Sequence, residues 1–185
     1  LHLLSRRQRQ MCIRDRARVI MIPFFLVFLM TDFFPGSRYA ALAIFIIASL
    51  TDMLDGKIAR KYNLVTNFGK FMDPLADKLL VCSAMIAFIE LDLIPAWIVI
   101  IIIAREFIIS GFRLIAAEKN VVIAAGMSGK IKTTVQMIMC CLLIARLPFG
   151  FMRYVEQIFI YAALVLTVYS LIVYLVQNKD ILKDN

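Results

Sequence analysis

Six long apolar stretches, each broken by a short polar one, dominate this sequence and limit what it can fold into. They run approximately from Ala17 to Phe34, Tyr39 to Tyr62, Phe71 to Leu91, Ile94 to Ala117, Met127 to Leu147 and Arg153 to Gln177. A helix needs about 20 apolar residues to cross the hydrocarbon core of a bilayer, and each stretch reaches or approaches that length. A chain of 185 residues that is 62% hydrophobic, with a mean hydropathy of +0.85, cannot hide so much apolar surface in a water-soluble core. Lipid is the expected solvent. The runs are continuous and lack the period-2 alternation, in segments of about ten residues, that an outer-membrane barrel shows. The sequence therefore predicts an all-α fold: a polytopic membrane protein with six transmembrane helices and connections too short for a second domain. No internal repeat or low-complexity segment interrupts it, and no small-residue cleavage site of a secretory signal follows the first run.

The net charge of +8 would suggest nucleic acid in a soluble protein, but in a membrane protein the position of each base matters more than the total. No nucleic-acid partner is expected. With the N-terminus taken as cytoplasmic, the outer loops carry Arg38, Arg146 and Arg153 beside the acids Asp32, Glu90, Asp92 and Glu156. The inner side collects Lys57, Arg60, Lys61, Lys70, Lys119, Lys130, Lys132, Lys179 and Lys183. This asymmetry fits the positive-inside rule with both termini in the cytoplasm. Cys82, Cys140 and Cys141 fall inside apolar runs without metal-ligand spacing and read as small buried hydrophobes, so no disulfide is expected.

Residues 1–16, LHLLSRRQRQMCIRDR, are basic and non-periodic. A juxtamembrane tail that holds anionic lipid would look like this. The string RRQRQMCIRDR also resembles a translated sequencing-adapter fragment, so residues 1–16 are set apart as a non-native tail and residues 17–185 as the transmembrane domain. The loop asymmetry survives without them.

An ionisable side chain at membrane depth is expensive and is a functional candidate by default. Asp52 and Asp55 are three apart near the end of the second run; Asp73 and Asp77 are four apart at the start of the third. On helices these spacings put each pair on one face. A short connection, Asn63 to Lys70, makes the two helices antiparallel neighbours and brings both pairs to one cytoplasmic depth. Carboxylates so close raise one another's pKa and stay ionised only beside cations. Oxygen donors without nearby Cys or His suit Mg²⁺ or Mn²⁺, and two such ions about 4 Å apart can clamp a diphosphate. The competing reading is a structural ion network with Lys57, Arg60, Lys70 and Lys78. Gly56, inside a helical run, and Ala59, one turn on, permit either a ligand's close approach or close helix packing. Gly69 can also simply end a loop.

The pattern Asp52-x2-Asp55-Gly56-x2-Ala59-Arg60-x8-Gly69-x3-Asp73-x3-Asp77 resembles the complete signature of the CDP-alcohol phosphotransferase family, with eight fixed positions in 26 residues. The resemblance implies a six-helix membrane fold that assembles as a homodimer, with an active site facing the cytoplasm at the bacterial inner membrane. It implies two divalent metal ions, Mg²⁺ or Mn²⁺, held by Asp52, Asp55 and Asp73, with Asp77 as general base and further metal contact. Gly56, Ala59, Arg60 and Gly69 would line the pocket for the cytidine diphosphate part of CDP-diacylglycerol.

A second polar group bears on the acceptor. Arg105 lies within IAREFIIS, Arg113 is eight residues on, and Lys130 and Lys132 lie within GKIKTT. Eight residues is roughly two helical turns, so both arginines can face the bundle interior, where guanidinium and ammonium groups can hold a phosphate. The alternative has Arg105 neutralised by Glu106 or the aspartates, and the lysines snorkelling to the interface. The stretches IAREFIIS, GKIKTT and RVIMIPFFLVFL resemble the bacterial branch of the family that makes phosphatidylglycerol phosphate. That implies glycerol 3-phosphate as acceptor, its phosphate held by Arg105, Arg113, Lys130 and Lys132. That branch usually places Asn and Thr where Cys12 and Asp15 stand here, which leaves any N-terminal contribution to substrate binding open. Two rivals stay in view: a relative using another acceptor, such as inositol phosphate, and a cation transporter, which also needs intramembrane carboxylates.

Overall fold

The computed structural model describes the backbone of residues 20–31, 36–62, 67–118 and 126–178, with side chains over 20–31, 36–51, 78–113, 116 and 126–178. Among the described residues every regular element is an α-helix: α1 (Ile20–Met30), α2 (Ser37–Tyr62), α3 (Asn67–Glu90), α4 (Ala96–Glu118), α5 (Met127–Ala145) and α6 (Met152–Gln177). The helices follow the apolar runs closely. The start of α3 at Asn67 differs from the sequence reading, because Gly69 and Lys70 are helical instead of ending a loop. The 11 described residues of α1 span only about 16 Å at 1.5 Å per residue, about half a hydrocarbon core.

Two compact units divide the chain within α3, at Ala87 and Phe88. In the first, Phe25 of α1 meets Phe45 of α2 with ring centroids 5.8 Å apart. Phe25 and Leu29 on α1, Ala41, Phe45 and Ala48 on α2, and Leu80, Ala84 and Ala87 on α3 are buried at three- and four-residue steps, one stripe per helix.

In the second unit α6 packs against both α5 and α4. The connections are capped by backbone geometry. After α3, Asp92 takes a left-handed conformation (φ 54°) while Leu93 N–H bonds back to Phe88 O at 2.9 Å. After α5, Arg146 is left-handed (φ 40°), its N–H donates to Leu142 O at 3.0 Å, and Pro148 prevents continuation. The α6 row Ile160, Ala163, Thr167, Ser170 and Tyr174 alternates three- and four-residue steps and is buried throughout. Arg105 of α4 meets Ser170, and Phe112, two turns further along α4, meets Tyr174 further along α6. The partners advance in the same direction, so α4 and α6 run parallel.

Polar residues lie inside this unit beside an apolar core of Ile98, Ile102, Met139, Leu143 and Ile144. Arg105, Lys132, Gln136, Thr167 and Ser170 are inside, whereas Ile158, Val165, Ile172 and Val176 of α6 stand outside, Ile158 at 65% exposure. Apolar side chains outside and polar ones inside is the arrangement a lipid solvent favours. Two helices, Met127–Ala145 and Met152–Gln177, are long and apolar enough to cross a membrane among the described residues. Helix α4 has the length at 23 residues but carries Arg105, Glu106 and Arg113.

Candidate active site

Helix α2 runs unbroken through Asp52, Asp55, Gly56, Ala59 and Arg60, and α3 through Gly69, Asp73 and Asp77. Their backbones thus have the helical register that the spacing requires; their side chains lie outside the described residues. One turn separates Asp52 from Asp55 and Asp73 from Asp77, so each pair repeats along one face, about 4.5 and 6 Å apart in rise. Residues 52–77 offer carboxylates and no thiol or imidazole. That donor chemistry fits Mg²⁺ or Mn²⁺ and not zinc.

The basic group is described in full, and it divides in two. Arg105 is 7% exposed and Lys132 completely buried, and Glu106 joins them. Its Oε1 accepts a hydrogen bond from Arg105 Nη1 at 3.0 Å and a second from Lys132 Nζ. Arg105 Nη2 donates to Ser170 Oγ at 3.0 Å and passes over Gly129, where a Cβ would stand 3.6 Å from it. Three helices therefore fix one guanidinium: α4 carries it, α5 flanks it and α6 receives its hydrogen bond.

Arg113 and Lys130 are exposed and do not join this pair. The reason is angular. At about 100° per residue, eight residues carry Arg113 some 80° past Arg105 around α4, and two residues put Lys130 nearly opposite Lys132 on α5. Arg113 thus stands outside the buried pair that Arg105 forms with Lys132. Neutralisation of Arg105 by Glu106, weighed as the alternative, is present in the structure, but Lys132 does not snorkel: it turns inward to the same carboxylate.

Comparison with known proteins decides the family. Residues 16–169 match the CDP-alcohol phosphatidyltransferase family. The chain belongs to that family. Its relatives include a Bacillus subtilis (strain 168) protein named CDP-diacylglycerol–glycerol-3-phosphate 3-phosphatidyltransferase, 44% identical with 91% of this chain and 94% of the relative covered. Proteins of the same name from Haemophilus influenzae and Shigella flexneri serotype 5b are 41% and 42% identical, over 91% and 90% of this chain and 92% and 93% of theirs.

In this CDP-alcohol phosphatidyltransferase relative, sequence reasoning missed the contribution of α6. Thr167, Ser170 and Tyr174 lie on one buried face, and three polar atoms in the same unit, Arg105 Nε, Thr167 Oγ1 and Tyr174 Oη, have no hydrogen-bond partner among the described residues. An unsatisfied buried polar atom costs about 1 to 3 kcal/mol, so each of the three calls for a partner beyond the described residues. The signal was available: the α6 row changes from Ile160 and Ala163 to three hydroxyl residues at the heptad-like steps of a buried stripe. Hydroxyl residues in an apolar span read as tolerable helix fillers, and their common face shows only once the helix is registered against Arg105.

Proposed function

We propose that this chain transfers the phosphatidyl group of CDP-diacylglycerol to glycerol 3-phosphate, giving phosphatidylglycerol phosphate and CMP. The observation that carries the reading is near-full-length likeness, 44% over 91% of this chain, to a protein whose name states that reaction. The buried basic pair Arg105 and Lys132 supports an anionic acceptor over a neutral one. Inositol phosphate, the anionic alternative, lacks comparable support.

In the proposed mechanism Asp77 accepts the proton of the acceptor's 1-hydroxyl. The alkoxide oxygen forms a bond to the β-phosphorus as the bond from that phosphorus to the bridging oxygen breaks, and CMP leaves with the electron pair. Arg105 and Lys132 hold the acceptor's phosphate, which takes over from Glu106 as their counter-anion, while the exposed Arg113 and Lys130 draw anions towards them. Gly56, Ala59, Arg60 and Gly69 accommodate the cytidine diphosphate. Asp52, Asp55 and Asp73, with Asp77, would hold two divalent ions, which when bound stabilise charge on the entering and leaving oxygens.

We further propose six membrane crossings with both termini and the reaction on the cytoplasmic side, in the bacterial inner membrane, and assembly as a homodimer. The apolar outer face of α6, the parallel run of α4 and α6, and the asymmetry of basic residues between loops support the crossings. Assay of the purified protein for CMP release with CDP-diacylglycerol and a panel of acceptors tests the reaction. Dependence on glycerol 3-phosphate is expected; CMP release only with another alcohol would reassign the acceptor.

A further inference from the structure

We propose that α6 forms an uncharged wall of the acceptor site: Ser170 fixes Arg105, and the hydroxyls of Thr167 and Tyr174 take the free, non-reacting hydroxyl of a phosphorylated polyol. The inference rests on the reading of Arg105 and Lys132 as the acceptor-phosphate pair and adds a separate group of residues to it.

The Ser170 hydroxyl has its single proton committed: it donates to Thr167 O at 3.1 Å and accepts from Arg105 Nη2 at 3.0 Å, so it acts as a positioning residue that sets the plane of the guanidinium and has no hydrogen left to donate to a ligand. Its neighbours on the same face differ. Thr167 is completely buried and Tyr174 is 8% exposed, and neither hydroxyl has a protein partner among the described residues.

The case of Thr167 is the more telling. Thr31, Thr51, Thr133 and Thr134 all donate to the carbonyl four residues back, at 2.5 to 3.1 Å. That back-bond is the ordinary way a helical threonine satisfies itself in an apolar setting. Thr167, the one most deeply buried of the described threonines, does not make it. Its hydroxyl is therefore available to another group. The Tyr174 ring is held edge-on against Phe112 of α4, centroids 6.1 Å apart, which fixes its hydroxyl without satisfying it.

The row is one turn long on each side of the Arg105 contact: Thr167 lies about 4.5 Å and Tyr174 about 6 Å along the helix from Ser170. The two positions lie on opposite sides of Ser170, about 10.5 Å apart in backbone rise, a separation that the long tyrosine side chain, leaning toward the helix N-terminus, shortens at the hydroxyls. A hydroxyl can both donate to and accept from another hydroxyl, while the neighbouring cations already serve the charge. A site built in this way discriminates by the hydroxyl itself, because an analogue lacking it leaves the buried groups unpaired.

The test compares glycerol 3-phosphate with 3-hydroxypropyl phosphate, the same chain without the central hydroxyl, in the purified full-length protein with CDP-diacylglycerol. The parent is expected to favour glycerol 3-phosphate in kcat/KM. Thr167→Val and Tyr174→Phe, which preserve shape, should each reduce that preference by about tenfold, the value of one hydrogen bond, and leave KM for CDP-diacylglycerol unchanged. Thr167→Ser restores the preference. Ser170→Ala raises KM for both acceptors alike, because it acts through Arg105. Tyr174→Phe carries the test where Thr167→Val does not fold. Equal effects of the Thr167 and Tyr174 variants on the two acceptors, or no effect on either, would overturn the proposal. A parent that ignores both phosphorylated acceptors but releases CMP with another alcohol fails at the acceptor reading itself, and the wall falls with it.

Discussion

Glu106 on α4 and Lys132 on α5 form an ion pair whose ammonium end is completely buried, and the same carboxylate oxygen also receives Arg105. One anion thus serves two cations within a largely apolar helix packing. Removing one partner of a buried pair costs about 3 to 5 kcal/mol, because the other charge is left without compensation. Glu106→Gln should therefore lower the thermal unfolding midpoint in detergent, and added glycerol 3-phosphate should recover more of it in the variant than in the parent, since the ligand replaces the missing anion. Glu106→Gln combined with Lys132→Met should be less destabilised than Glu106→Gln alone. Additive losses in the double variant would show that the two residues are not coupled.

Arg105 and Arg113, equivalent by residue type, should separate on substitution. Truncating one member of a buried, charge-assisted hydrogen bond costs about 2 to 5 kcal/mol, so Arg105→Gln should raise KM for glycerol 3-phosphate by about thirtyfold or more and alter KM for CDP-diacylglycerol far less. Arg113→Gln and Lys130→Gln remove exposed charges and should change the acceptor KM by less than about tenfold, with an effect that fades as salt is raised. Michaelis constants for each substrate in the three variants check this. A uniform loss for both substrates on substituting Arg105 would mean that it holds the helices together and does not read the acceptor.

The extent to which the sequence revealed these features follows from what each depends on. Helix positions depend on apolar runs, which are local, and the predicted and observed ends mostly agree within a few residues. The family pattern depends on spacing along two helices, also local, so Asp52 to Asp77 could be singled out without a fold. The basic group depends on angular position and on partners from other helices. Counting turns placed Arg105 and Arg113 together, whereas the residual rotation separates them. The pairing of Glu106 with Lys132 spans 26 residues and is set by how α4 meets α5, which no local pattern encodes. The α6 hydroxyls were hidden for the same reason.

The proposed crossings make a labelling prediction. In a background without native cysteines, Cys placed at Asp92 or Phe149, in the α3–α4 and α5–α6 connections, should react with a membrane-impermeant maleimide in intact cells with a permeable outer surface. Cys placed at Gly126, before α5, should react only after the membrane is opened. The reverse pattern would invert the orientation.

The aspartates should behave as one unit. Asp52→Asn, Asp55→Asn and Asp73→Asn should each abolish transfer while leaving the thermal unfolding midpoint close to that of the parent, and a chelator should do the same reversibly, with activity returned by Mg²⁺ or Mn²⁺. With Mn²⁺, pulsed electron paramagnetic resonance should report two coupled ions about 4 Å apart. A single uncoupled ion, or activity that survives chelation, would contradict the two-ion reading.

The transfer reaction is decided by CMP release from the purified chain supplied with CDP-diacylglycerol, Mg²⁺ or Mn²⁺ and, separately, glycerol 3-phosphate, inositol phosphate, serine or no acceptor, with the lipid product identified by mass. CMP release with glycerol 3-phosphate, and phosphatidylglycerol phosphate in equal amount, are expected. CMP released with another acceptor while glycerol 3-phosphate is ignored, or no CMP with any of them, would contradict it.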